Sequence, residues 1–83
     1  MTTVVTLYSR PGCHLCEEAK EALERVRAQA PFALREVNIE TDDALHARYL
    51  ERIPVVTLDG DELFDFFVDE PALVRRILYG GGR

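Results

Sequence analysis

The sequence predicts an α/β domain in the order β-α-β-α-β-β-α, a four-stranded mixed sheet covered by three helices. Three observations carry that expectation. Short runs rich in β-branched residues alternate with amphipathic segments of helical period, an order that gives a parallel β-α-β unit. Asp59-Gly60, set between two apolar runs, is a strong signal for a two-residue hairpin and so for an antiparallel partner strand. Strands that meet helices throughout the chain imply a sheet covered on both faces.

Thr3 to Tyr8 is the first strand, and it stops at Ser9-Arg10-Pro11-Gly12, where Pro and Gly favour a loop. From Leu15, apolar residues recur at Ala19, Ala22, Leu23, Val26 and Ala30, the spacing of one helix face, and Pro31 ends the run. Glu17, Glu18, Glu21 and Glu24, interleaved with Lys20, Arg25 and Arg27, form its solvated faces, with Glu21 and Arg25 at a supportive i,i+4 spacing. Phe32, Leu34, Val37 and Ile39 give a second strand whose register stays ambiguous. Thr41 or Asp42 then caps a helix holding Ala44, Leu45, Ala47, Tyr49 and Leu50.

Val55 to Leu58 is the third strand, and the hairpin returns Glu62 to Phe66 antiparallel to it. Asp69 caps the last helix, Pro71 stands in its first turn where a missing N–H costs nothing, and Leu73, Val74, Ile77 and Leu78 form its buried face. Residues 1–79 are expected to be a single domain and 80–83 a flexible C-terminal tail.

Composition narrows the function. Ten Lys and Arg against fifteen Asp and Glu leave a net charge of -5, which argues against a nucleic-acid partner, because such affinity rests on clustered cations. No apolar run approaches the roughly 20 residues of a membrane span, and the opening residues lack the pattern of a signal peptide. A cytoplasmic monomer without a membrane partner is expected. The two cysteines, Cys13 and Cys16, lie too close together to staple the chain, and in a reducing compartment that spacing points to redox or metal chemistry.

Cys13-His14-Leu15-Cys16 stands where a strand ends and an amphipathic helix begins. Thiols three residues apart at a helix start can face each other, and the free N–H groups and positive dipole end favour a thiolate at the first one. Cys13 is therefore the expected nucleophile, and Cys16, one turn inside the helix, the resolving thiol. Arg10 and His14 place positive charge near Cys13, whereas Glu17 and Glu18 oppose ionisation, so a moderate depression of the Cys13 pKa below about 8.5 follows. Arg10 and His14 are equally readable as solvated residues, and Tyr8 as either core or site lining.

The segment Tyr8-Ser9-Arg10-Pro11-Gly12-Cys13-His14-Leu15-Cys16 resembles the active-site segment of dithiol glutaredoxins. Ile53-Pro54-Val55 resembles the hydrophobic-Pro-hydrophobic element that carries a cis proline facing the cysteines in the thioredoxin superfamily. Such a proline could leave neighbouring backbone free for a substrate to pair with. The resemblance implies a thioredoxin-like, glutaredoxin-type fold and a thiol-disulfide oxidoreductase. Catalysis would fall to Cys13 and Cys16, and substrate binding to Tyr8, Arg10, His14, Arg52, Ile53, Pro54, Phe67 and Asp69, although capping alone also accounts for Asp69.

No cofactor is implied beyond an electron donor, which could be glutathione, another small thiol or a reductase. The substrate would be a protein disulfide or a low-molecular-weight one. The sequence departs from the family at Phe66-Phe67, which stand in place of a glycine pair, and at Arg52, which replaces a small hydroxyl residue. Both changes lead us to expect poor glutathione binding. Two other classes compete: a metal module, with zinc on Cys13, His14, Cys16 and His46 or an iron-sulfur cluster shared through Cys13, and a thioredoxin-fold interaction domain with idle thiols.

Overall fold

The computed structural model describes residues 3–80. Its elements are β1 (Val4–Ser9), α1 (His14–Arg27), β2 (Ala33–Asn38), α2 (Asp43–Tyr49), β3 (Val55–Leu58), β4 (Asp61–Asp65) and α3 (Glu70–Arg75), with a 3-10 turn at Ile39–Thr41 and a π-helical turn at Arg76–Gly80. The strands lie in the order β2-β1-β3-β4. β1 pairs parallel with β2 and antiparallel with β3, and β3 pairs antiparallel with β4. This is the expected four-stranded mixed sheet with three helices.

Alternation along the central strands divides the core in two. Val5 and Leu7 of β1 and Val56 and Leu58 of β3 face α1 and α3, where Ala19, Leu23, Val26 and Leu73 pack against them. Tyr8 and Val55 face α2 and join Ile39, Tyr49, Ile53 and both cysteines in a second cluster. The cysteine pair thus sits at the end of β1, where the start of α1 meets this second cluster.

Several local expectations are corrected. Leu15 is exposed, and Cys16 takes its place on the buried face of α1. Arg25 pairs with Glu70 of α3 at 2.8 Å rather than with Glu21, so the charge acts between helices. β2 spans Ala33–Asn38, and Phe32 and Ile39 are buried just outside it. Asp42, not Thr41, caps α2, accepting from the N–H groups of Ala44 and Leu45. Leu78 is exposed because the helix widens from α to π spacing at Arg76, which turns that side chain off the buried face. Gly80 belongs to this turn, and the rest of the expected tail, 81–83, lies outside the described residues.

The Asp59-Gly60 hairpin forms with positive φ at both residues, 49° and 94°, the backbone that a type I′ turn requires. Asp59 also ties the turn to β1, since its carboxylate accepts from the Val4 N–H at 2.9 Å. A register shift in β3–β4 falls between Val56↔Phe64 and Thr57↔Glu62, leaving Leu63 as the additional residue of a bulge. Glu62 and Asp65 consequently oppose Thr57 and Val55, and both face α2.

Candidate active site

β1 delivers the chain to a loop in which Gly12 takes φ +79°, and Cys13 follows as the N-cap of α1 with extended backbone. From that position Cys13 Sγ accepts from the Cys16 N–H at 3.1 Å, the place a capping oxygen usually fills. Cys13 and Cys16 form a disulfide with their Cα atoms 5.2 Å apart. Cys16 is only 4% exposed, whereas Cys13 is half-buried. The asymmetry follows from the helix: Cys16 lies on the face that packs on the sheet, and Cys13 lies at the open end.

Ile53 and Pro54 are buried, and their peptide bond is cis. Ile53 shares the cluster that holds Cys16 and Cys13. The Ile53 N–H donates to the Tyr49 carbonyl at 3.0 Å, which narrows the backbone expected to be free there, and the Pro54 carbonyl accepts from the Phe66 N–H at 2.9 Å next to the β3–β4 pairing.

The other candidates divide. Tyr8 both packs and borders the site, its ring 4.8 Å from that of Tyr49 and against the cysteine cluster. Arg10 lines a shallow cleft with Cys13, Glu17 and Lys20, 4.0 Å from the Glu40 carboxylate. His14 points along the helix surface to Glu18 at 2.8 Å and does not line that cleft. Arg52 is turned to Glu62 at 2.6 Å and Asp65 at 3.4 Å, so its guanidinium serves an internal network. Asp69 caps α3 by accepting from the Ala72 N–H at 3.1 Å. Phe67 is 70% exposed and lines a hollow with Leu15 and Phe66. The fourth strand, expected to run to Phe66, ends at Asp65, and Phe66 turns out of it with φ +69° and is 50% exposed.

Sequence reasoning missed Tyr49 and Glu62. The Tyr49 hydroxyl donates to Glu62, and burial foremost, then this bond, push its pKa up. Glu62 is held below the usual carboxylate range, first by the hydrogen bond from Arg52. The hairpin register sets Glu62 opposite Thr57 on the α2 side, and the bulge brings Asp65 to the same face, a combination that no local signal announced. Among the described residues no three His, Cys, Asp or Glu side chains gather as a metal-ligand set, and His46 on α2 is not assembled with the cysteines.

The profile of the Glutaredoxin-like domain (DUF836) matches residues 4–78. The chain belongs to this glutaredoxin-like family. An uncharacterized protein of Mycobacterium tuberculosis is 31% identical over 74 residues, covering 83% of this chain and 76% of that one. The solution structure of a Nitrosomonas europaea protein superposes with TM-score 0.81 at 29% identity, over 93% of both chains. An X. campestris protein solved by X-ray is similar at TM-score 0.70 and 42% identity, over 84% of this chain and 89% of that one. A thioredoxin of Halobacterium salinarum, 24% identical and covering 90% of this chain and 71% of that one, shares the fold at TM-score 0.64. The glutaredoxin-like chain thus combines a thioredoxin fold with a bridged Cys13–Cys16 pair at a helix start.

Proposed function

We propose that the protein is a dithiol thiol-disulfide oxidoreductase in which Cys13 attacks and Cys16 resolves. The observation that carries this reading is the half-buried Cys13 at the α1 N-cap, bridged to a buried Cys16 whose N–H points at the Cys13 sulfur. An N–H and a helix N-terminus that meet the sulfur in this way favour its thiolate over its thiol once the pair is reduced.

In the reduced enzyme the Cys13 thiolate attacks one sulfur of a substrate disulfide. A Cys13–substrate mixed disulfide forms, and the other substrate sulfur leaves as a thiolate that takes a proton. Cys16 then gives up its proton and attacks Cys13 Sγ, forming the Cys13–Cys16 disulfide and releasing the second substrate sulfur, which is protonated. The substrate has gained two electrons and two protons, and the cysteine pair has lost them. The pair returns to the dithiol by exchange with two equivalents of a small thiol such as glutathione, or with a reductase dithiol. The reading implies a monomeric enzyme of the cytoplasm that needs no bound cofactor.

Reduction of a model disulfide, followed in parallel with glutathione, a second small thiol and a thioredoxin reductase system as donor, tests it. Turnover with at least one donor, lost in Cys13→Ser, is expected. Absence of turnover with all three, while dithiothreitol readily opens the Cys13–Cys16 bond, would overturn it in favour of an interaction domain with idle thiols.

A further inference from the structure

Among the described residues two non-glycines have positive φ, Asp59 and Phe66. Asp59 belongs to a turn that demands it. Phe66, at φ +69°, closes a different one: the Phe67 N–H donates across it to the Asp65 carbonyl at 2.8 Å. An i+2 to i bond over a positive-φ residue is the rare, strained form of γ-turn, and a bulky side chain there is an outlier.

Burial does not offset this strain. Phe66 is 50% exposed, Phe67 70% and Leu15 48%, and the three line one hollow between α1 and the loop after β4. Leu15 lies within the Cys13–Cys16 spacer, so the apolar surface adjoins the redox pair. A strained backbone that displays two rings to solvent disfavours the isolated folded chain twice over, and such outliers concentrate at functional sites.

We propose that Phe66, Phe67 and Leu15 form a docking surface for a polypeptide substrate that carries an apolar side chain near its disulfide and basic residues around it, an inference that rests on the reductase reading. Charge selects this occupant. The hollow is edged by Glu18 and Glu70, with Asp69 adjacent, against one arginine, Arg25, which pairs with Glu70 at 2.8 Å, so Glu18, beside His14, and Asp69 leave the edge acidic. Side chains carry most of the recognition, because the Ile53 N–H, the donor that an added strand would seek beside Pro54, is engaged by the Tyr49 carbonyl.

The test uses three substrates with dithiothreitol as donor: a peptide disulfide with a Phe beside one cysteine and flanking lysines, its twin with flanking glutamates, and hydroxyethyl disulfide. The wild type should favour the lysine peptide over its twin. In Phe66→Gly and Phe67→Ser, the ratio of kcat/KM for the lysine peptide to that for hydroxyethyl disulfide should fall about tenfold, the loss typical of an interface aromatic. Phe66→Gly should also raise Tm, since glycine relaxes the turn.

An unchanged ratio in both variants, preference for the glutamate twin, or a lower Tm in Phe66→Gly would each overturn the proposal. So would a dimer that Phe67→Ser dissociates, which would assign the surface to a second copy. A wild type inert toward all three substrates would instead sink the reductase reading itself.

Discussion

The Tyr49 hydroxyl donates to Glu62 Oε2 at 3.1 Å and joins the end of α2 to β4. The same carboxylate accepts from Arg52 at 2.6 Å and from Arg48 at 3.4 Å, and the two guanidinium groups lie 5.6 and 5.4 Å from the Tyr49 ring centroid. The Tyr49 carbonyl meanwhile accepts from the N–H groups of Arg52 and Ile53 at 2.8 and 3.0 Å. Main chain and side chain of one tyrosine therefore hold the segment Arg52-Ile53 that leads into Pro54, with Ile53 packed in the cysteine cluster.

Tyr49→Phe keeps the ring stack on Tyr8 and removes only the hydroxyl, while Glu62 retains its arginines. The expected loss is about 0.5–1.5 kcal/mol, the usual net worth of one hydrogen bond. Glu62→Ala should cost more, because it leaves the half-enclosed hydroxyl without its acceptor and frees Arg52. Urea melts of the two variants measure this. Two melts indistinguishable from wild type would show that the network orders side chains without stabilising the fold.

Acid should weaken the protein through the same groups. Glu62 is held below its ordinary pKa first by the hydrogen bond from Arg52, and Glu70 by that from Arg25. A carboxylate whose folded pKa is depressed contributes stability that is present above its unfolded pKa and is lost as pH falls through the folded one. Tm should therefore drop as pH falls below the reference value of 4.5 for these carboxylates, and less steeply in Glu62→Gln. Tyr49 has the opposite sign: its raised pKa stabilises below the ordinary value of 10.0, and that contribution is lost as pH rises through the folded value. Identical acid limbs in wild type and Glu62→Gln would remove Glu62 from the account.

The element order, the hairpin and the cysteine pair at a helix start were legible because each rests on local chemistry. Asp59-Gly60 specifies its turn, and apolar spacing specifies α1. The full network of Tyr49, Arg52, Glu62 and Asp65 was not legible, since strict alternation puts residues 62 and 65 on opposite faces of β4, and only the additional Leu63 brings the second acid to the α2 side. Arg52 was consequently read as a groove residue. Phe66 was placed at the end of the fourth strand for a related reason: β-rich composition carried the strand through it, whereas its N–H is anchored on the Pro54 carbonyl and its backbone turns left-handed. Both failures lie at contacts between segments remote in sequence, which residue type and period do not encode.

The two cysteines should separate cleanly by substitution. Cys13→Ser removes the sulfur at the helix end and should abolish disulfide reduction, because the other thiol, Cys16, is buried. Cys16→Ser should still attack and accumulate a mixed disulfide on Cys13, visible as an adduct by intact-mass spectrometry. An adduct that forms in Cys13→Ser but not in Cys16→Ser would reverse the assigned roles.

The Cys13 thiol, measured in Cys16→Ser so that a single sulfur titrates, should ionise below the free value of about 8.5. The structure changes which groups are responsible. His14 is turned to Glu18 at 2.8 Å and Arg10 lies 4.0 Å from Glu40, so neither is a dedicated partner of the sulfur. What meets Cys13 Sγ is the N–H of residue 16 at 3.1 Å and the N-terminus of a 14-residue helix. Glu17, in the first turn, accepts no ion pair among the described residues and opposes the shift by like-charge repulsion. Ultraviolet thiolate absorbance against pH should give a midpoint below that of free cysteine, with a further fall in Glu17→Gln and little change in His14→Gln. A larger response to His14→Gln than to Glu17→Gln would return the histidine to the site, and a midpoint at or above that of free cysteine would mean that carboxylates and partial burial outweigh the helix end, leaving too little thiolate for reduction near neutral pH.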